Sequence, residues 1–168
     1  MTTLKNILVA TDFGEAAETA IAYSRELARR FGATLHVMHV VDDVGARMVT
    51  STVGLPYDVT GIQVVVDRAE REKLEAIVTE EDRRELGAKT VLVTSLAPAR
   101  EICDYAEKEH VDLIVLGTHG RGAIGHLFLG SVAERVVLTA HCPVLTVRHP
   151  EREFIRPDAL QTLPRVSG

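Results

Sequence analysis

The chain has 168 residues, of which 46% are hydrophobic and 26% charged, with a formal net charge of −5, so it reads as an ordinary water-soluble globule with room for one domain. An acidic chain without a basic stripe lacks the electrostatic footprint for nucleic acid or anionic lipid, and no apolar run approaches the roughly 20 residues a bilayer span needs. No run has the character of a signal peptide, and Cys103 and Cys142 form no C-x-x-C pair; they read as small core residues of a cytoplasmic protein. Aromatic residues make up 4% and Trp is absent, which leaves a core of Val, Leu, Ile and Ala, the filling of a parallel sheet covered on both faces.

In chain order, Asn6–Thr11 is a short apolar strand and Glu15–Phe31 a helix, with Ala17, Ala20, Ile21, Ser24, Leu27, Ala28 and Phe31 on one face. Gly32 ends that helix and Thr34–Val41 is the second strand. The segment 42–60 reads as a long loop, either lid or disorder. Gly61–Leu86 carries a helical stripe of Ile62, Val65, Val66, Ala69, Leu74, Ile77 and Val78 with one slip of register, closed by Gly87. A strand at Thr90–Thr94, a helix at Pro98–Glu109, a strand at Leu113–Leu116, a helix at Ser131–Ala140 and a strand at Val144–Val147 follow. Strict alternation of five strands with four helices predicts a doubly wound α/β fold, a five-stranded parallel sheet of flavodoxin or Rossmann type in the order 3-2-1-4-5. The domain is expected over 1–150, with 151–168 a tail that shows no periodicity.

In such a sheet ligands sit beyond the carboxyl ends of the strands, so loops carry the function. The unusual one lies between Gly117 and Ser131. Gly120-Arg-Gly122-Ala-Ile-Gly125 has the form of a dinucleotide fingerprint but neither opens a helix directly off its strand nor precedes an acidic residue at the end of the next one. Gly125 to Ser131 resembles a P-loop without its lysine. What the residues do offer is two anion-ready ends: Gly117 and Gly120, where the backbone can turn and approach a ligand, and Gly130-Ser131, at the positive end of a helix dipole.

The pattern Gly117, Gly120, Gly130, Ser131, a complete G-x2-G-x9-G-[ST], is similar to the nucleotide-binding motif of the universal stress protein family. The resemblance extends over about residues 4–148, through Lys5-Asn-Ile-Leu-Val-Ala-Thr-Asp12, Leu35–Val41, Asp112–Gly120, Gly130–Val137 and Cys142-Pro-Val-Leu145. One departure is Leu96, two positions before Pro98, where that family often has glycine. The resemblance implies ATP binding, with Mg2+ or Mn2+ held by the phosphates, slow hydrolysis at best, a regulatory role in stress response, and a homodimer paired through Val144–Val147. It also implies a nucleotide site of Thr11, Asp12, Val40, Leu116, Gly117, His119, Gly120, Arg121, Gly130, Ser131 and Val132, in which the Val40 main chain would read the adenine edge. Asp12 has two readings, a ribose partner or a helix cap with Glu15. Ser131 likewise either stands beside phosphate or forms a capping box with Glu134. Arg121 is the one permanent cation of the loop, and His119 suits a polar contact better than a general base. The other reading of the chain is a nucleotide-independent interaction module.

Overall fold

The computed structural model describes residues 3–50, 59–118 and 130–148. Five strands, β1 (Asn6–Ala10), β2 (Thr34–Val41), β3 (Lys89–Thr94), β4 (Leu113–Gly117) and β5 (Val144–Val147), form one parallel sheet in the order β3-β2-β1-β4-β5. That is the predicted topology, and the direction of winding reverses between β1 and β4.

Because strand residues alternate between faces, β1 feeds two cores at once. Ile7 and Val9 join Leu35, Val37 and Val115 beneath helix α1 (Glu15–Phe31). Leu8 turns to the other face, with Met38, Ile114 and Leu116, beneath α5 (Pro98–Lys108) and α6 (Ser131–Thr139). The buried stripe of α1 is Ala16, Ala17, Ala20, Ile21, Ser24 and Ala28, mostly small side chains that let the helix lie close on the strands. Phe31, expected on that stripe, is 51% exposed, because it ends the helix where the chain turns through Gly32 (φ 64°) into β2.

Between β2 and β3 the structure departs from expectation. The first part of the predicted loop 42–60 is a helix, α2 (Val44–Thr50). Asp43 starts it by accepting the Ala46 N–H at 2.8 Å, and Gln63 fastens it by accepting the Val44 N–H at 2.8 Å. Residues 51–58 lie outside the described residues. The predicted single helix over 61–86 is two, α3 (Val59–Ile77) and α4 (Glu80–Leu86). Ile62, Val65 and Ala69 are exposed rather than core, Val65 by 67%. Asp67 already reaches Thr94 at the end of β3, 3.1 Å away, so the helix before it projects past the sheet and has no strand to cover.

The break between α3 and α4 is built on a buried charge. Thr79 caps α4 by accepting the Asp82 N–H at 3.1 Å, and the Asp82 carboxylate accepts the Thr79 N–H at 3.0 Å. Arg25 of α1 donates from Nε and a terminal nitrogen to that carboxylate (2.8–3.0 Å) and from the same terminal nitrogen to the Ile77 carbonyl at 2.7 Å. Burial alone would raise the Asp82 carboxyl, but the bonds from Arg25 and Thr79 outweigh it and hold the group below the ordinary carboxylate range.

On the opposite face His36 of β2 is 1% exposed, with Nδ1 2.7 Å from the Tyr105 hydroxyl and Nε2 without a partner among the described residues. Burial, helped by Lys89, lowers its pKa and keeps it a neutral core residue; burial with Glu109 pushes Tyr105 up to about 12. No helix among the described residues is long and apolar enough to cross a membrane.

Candidate functional site

At the reversal between β1 and β4 the strand ends open into a cavity of about 240 Å³. Thr11, Asp12, Val40, Leu116, Gly117, Gly130, Ser131 and Val132 all line it, so the structure brings together every predicted site residue that it describes. His119, Gly120 and Arg121 lie outside the described residues. Ala17, His39, Pro98, Ile102 and Ala133 also line the cavity and were not anticipated. For Pro98 and Ile102 the signal was present, since a proline at the first turn and a residue one turn later share a helix face beside the strand ends.

The floor on the β1 side is a tight turn. Thr11 donates its N–H to the Met38 carbonyl at 2.9 Å, continuing the sheet by one residue. Its hydroxyl then accepts the Phe13 N–H at 3.0 Å, and Asp12 Oδ1 accepts the Gly14 N–H at 3.0 Å. Gly14, with no side-chain cap bond, is the N-cap of α1, so of the two readings of Asp12 the helix cap is not the one seen. Asp12 folds the turn that leads into the helix. The turn also forces Phe13 to φ 63°, a conformation that costs a residue with a side chain on the order of 1 kcal/mol or more.

On the α6 side the cap is Gly130, and the first intrahelical bond runs from the Glu134 N–H to its carbonyl at 2.9 Å. Ser131 is therefore the first helical residue, and the capping box with Glu134 does not form. The N–H groups of Ser131, Val132 and Ala133 precede that first bond, and all three residues border the cavity. The positive end of the helix thus faces the opening. Two backbone bonds set its position: Thr118 donates to Val147 O at 2.8 Å, and Gly130 donates to Thr118 O at 2.5 Å.

Gly117 is pressed against α1 as well as lining the cavity. A Cβ placed on it would lie 2.8 Å from the carbonyl carbon of Ala16 and 2.9 Å from the Ala16 Cβ. The absent side chain makes room for α1.

Val40, Pro98, Ile102, Leu116 and Val132 give the cavity apolar walls, Asp12 supplies a carboxylate and α6 supplies donors for an anion. Among the described residues no three His, Cys, Asp or Glu side chains group as a metal site. A flat apolar group joined through hydroxyls to an anion fits this arrangement. The universal stress protein family profile matches residues 3–148, which span the whole sheet and both sides of the cavity. The chain belongs to that family. Universal stress protein MJ0531 of Methanocaldococcus jannaschii is 36% identical over 152 residues, covering 89% of this chain and 85% of the relative. Among solved structures, universal stress protein UspA from Lactobacillus plantarum superposes with a TM-score of 0.68 at 28% identity, covering 88% of this chain and all of the other. A universal stress protein from Archaeoglobus fulgidus, solved in complex with dAMP, gives 0.57 at 26% identity over 86% of this chain and 98% of the other. The parallel 3-2-1-4-5 sheet is shared with the family's solved structures.

Proposed function

We propose that the cavity binds an adenine nucleotide, ATP accompanied by Mg2+ or Mn2+, and that the chain is a regulatory stress-response protein that holds the nucleotide with slow hydrolysis or none. The observation that carries this reading is the cavity itself, in which apolar walls, the Asp12 carboxylate and the start of α6 meet, groups suited to a base, a ribose and a phosphate. The complex of the A. fulgidus relative with dAMP supports the adenine nucleotide class. Asp12 is the one carboxylate of the described lining, so a divalent ion would rest chiefly on phosphate oxygens.

Calorimetry with ATP and Mg2+ tests the proposal. Binding is expected for the native chain, and Gly130→Val is expected to weaken it at least about tenfold, because a branched side chain at the cap of α6 intrudes on the anion position. A folded Gly130→Val protein with undiminished affinity refutes the placement. No heat with the native chain favours the nucleotide-independent interaction module. Phosphate release should stay well below the ~10 per second of an ordinary enzyme, since the described lining supplies no lysine and no arginine.

We also propose a homodimer paired through β5. This strand bonds only to β4 among the described residues, which leaves its other edge unpaired, and Leu138 of the adjacent α6 is 77% exposed. Two-fold pairing of β5 with a second copy would be antiparallel and closed. Light scattering at micromolar concentration should give twice the chain mass, and Thr146→Pro, which removes a ladder donor, should give the monomer. A native monomer overturns the assembly.

A further inference from the structure

The sequence assigns His39 no role, yet it touches the Asp12 turn through both Thr11 and Phe13. It stands on β2, 12% exposed, and its Nδ1 is 2.7 Å from the Thr11 carbonyl oxygen. A carbonyl only accepts, so Nδ1 carries the hydrogen. The other side of the ring faces α3, where Glu70 Oε2 lies 3.5 Å from Nε2; that carboxylate is held in turn by Lys73 at 2.9 Å. The ring face packs on Phe13, with centroids 4.4 Å apart, and the Lys73 ammonium lies 5.9 Å from the Phe13 centroid. One imidazole therefore fixes the peptide that leads into Asp12 and steadies the residue after it in its unfavourable backbone conformation.

We propose that His39 is a positioning residue for the ribose-recognising carboxylate of Asp12. It acts through the Thr11 carbonyl and the Phe13 ring, in addition to bordering the cavity. Without its hydrogen bond the Thr11-Asp12 peptide loses one of the restraints on its orientation, and the strain at Phe13 favours a shift. Asp12 then loses its fixed aim at the ribose hydroxyls, while the base and phosphate contacts remain. The inference rests on the nucleotide reading above and adds to it the residue that makes the site sensitive to the sugar.

The test compares ATP with 2′,3′-dideoxy-ATP, which has no hydroxyl for Asp12 to meet. His39→Phe keeps a ring against Phe13 but loses the donor; His39→Asn keeps a donor near the position of Nδ1. In the native chain ATP should bind more tightly than the dideoxy nucleotide. His39→Phe should lose about five- to tenfold in ATP affinity, the size of one hydrogen bond, with the dideoxy nucleotide changed by less than about twofold. His39→Asn should restore most of the native preference. In the Asp12→Ala background His39→Phe should have no further effect on ATP. Equal losses for both nucleotides, or a preference that persists in His39→Phe, overturn the proposal. Should His39→Phe not fold, His39→Asn beside Asp12→Ala decides, because an Asn variant with the collapsed preference of Asp12→Ala also overturns it. A native chain that binds both nucleotides equally refutes the role of Asp12 and His39 while leaving the nucleotide site standing. A chain that binds neither refutes both.

Discussion

Replacing Arg25 with methionine is expected to cost about 3 kcal/mol of stability, the lower end of what breaking a buried pair costs, because Arg25 keeps an edge in water while Asp82 is 2% exposed. The guanidinium joins three helices in a few ångströms, bonding the Asp82 carboxylate from α1 and closing the last turn of α3 at the Ile77 carbonyl. Its loss strands a carboxylate whose remaining partner is Thr79. For a domain of this size the melting temperature should fall by on the order of 10 °C. The pH dependence gives the sign. The folded-state pKa of Asp82 is depressed, so its contribution is present above the ordinary carboxylate value of 3.8 and is lost as pH falls through the folded value. The gap between native and variant proteins should therefore close in acid below about pH 4. A gap that stays constant from pH 7 to pH 3 would show that Arg25 acts through packing alone.

Gly117→Ala is the second large effect expected. The new methyl would sit 2.8–3.0 Å from the carbonyl carbon, carbonyl oxygen and Cβ of Ala16, and backbone cannot turn aside as a flexible side chain can. Forcing α1 away from β4 should cost about 1–3 kcal/mol and widen the mouth of the cavity, so nucleotide affinity should fall with stability. Adding Ala16→Gly removes the contact with Cβ but not those with the carbonyl group, and is expected to recover only part of the loss. Chemical denaturation of the single and double variants checks both steps. Full stability in Gly117→Ala would mean that the helix and strand are not pressed together there.

The strand order and the position of the cavity were legible because they follow from alternation and from where glycine, aspartate and a helix start fall along the chain. The predicted residues that meet at the cavity stand at or just beyond the ends of β1, β2 and β4 and at the start of α6, elements whose patterns are strong; Ala17 of α1 and Pro98 and Ile102 of α5 join them. What sequence did not yield were decisions between competing local bonds. Thr79-Glu-Glu-Asp82 is a capping signal just past the helical stripe, whereas the slip of register between Ala69 and Leu74 falls inside α3 and does not mark the break. At α6, glycine and serine both make acceptable caps, and the bond from Gly130 to Thr118 settles it in favour of glycine. Ile62 and Val65 carry the right spacing for a core face, but spacing does not tell whether a sheet lies beneath them. His39 was invisible for another reason: its partners, Thr11, Phe13 and Glu70, are 28, 26 and 31 positions away, and only the fold brings them together.

The bond between Gly130 and Thr118 means that the chain leaves the sheet and returns to it at the same place. Residues 119–129 lie outside the described residues, and the two positions that flank them, Thr118 and Gly130, are joined by that bond. Lengthening a loop whose ends are already joined costs little, about 0.6 kcal/mol for each doubling, and the strands and helices need not move to admit it. The stretch between those two points can thus change in length while the frame that carries Asp12, Val40 and Leu116 stays as it is. Such a division lets one scaffold diversify in what it holds without being obliged to relearn how to fold.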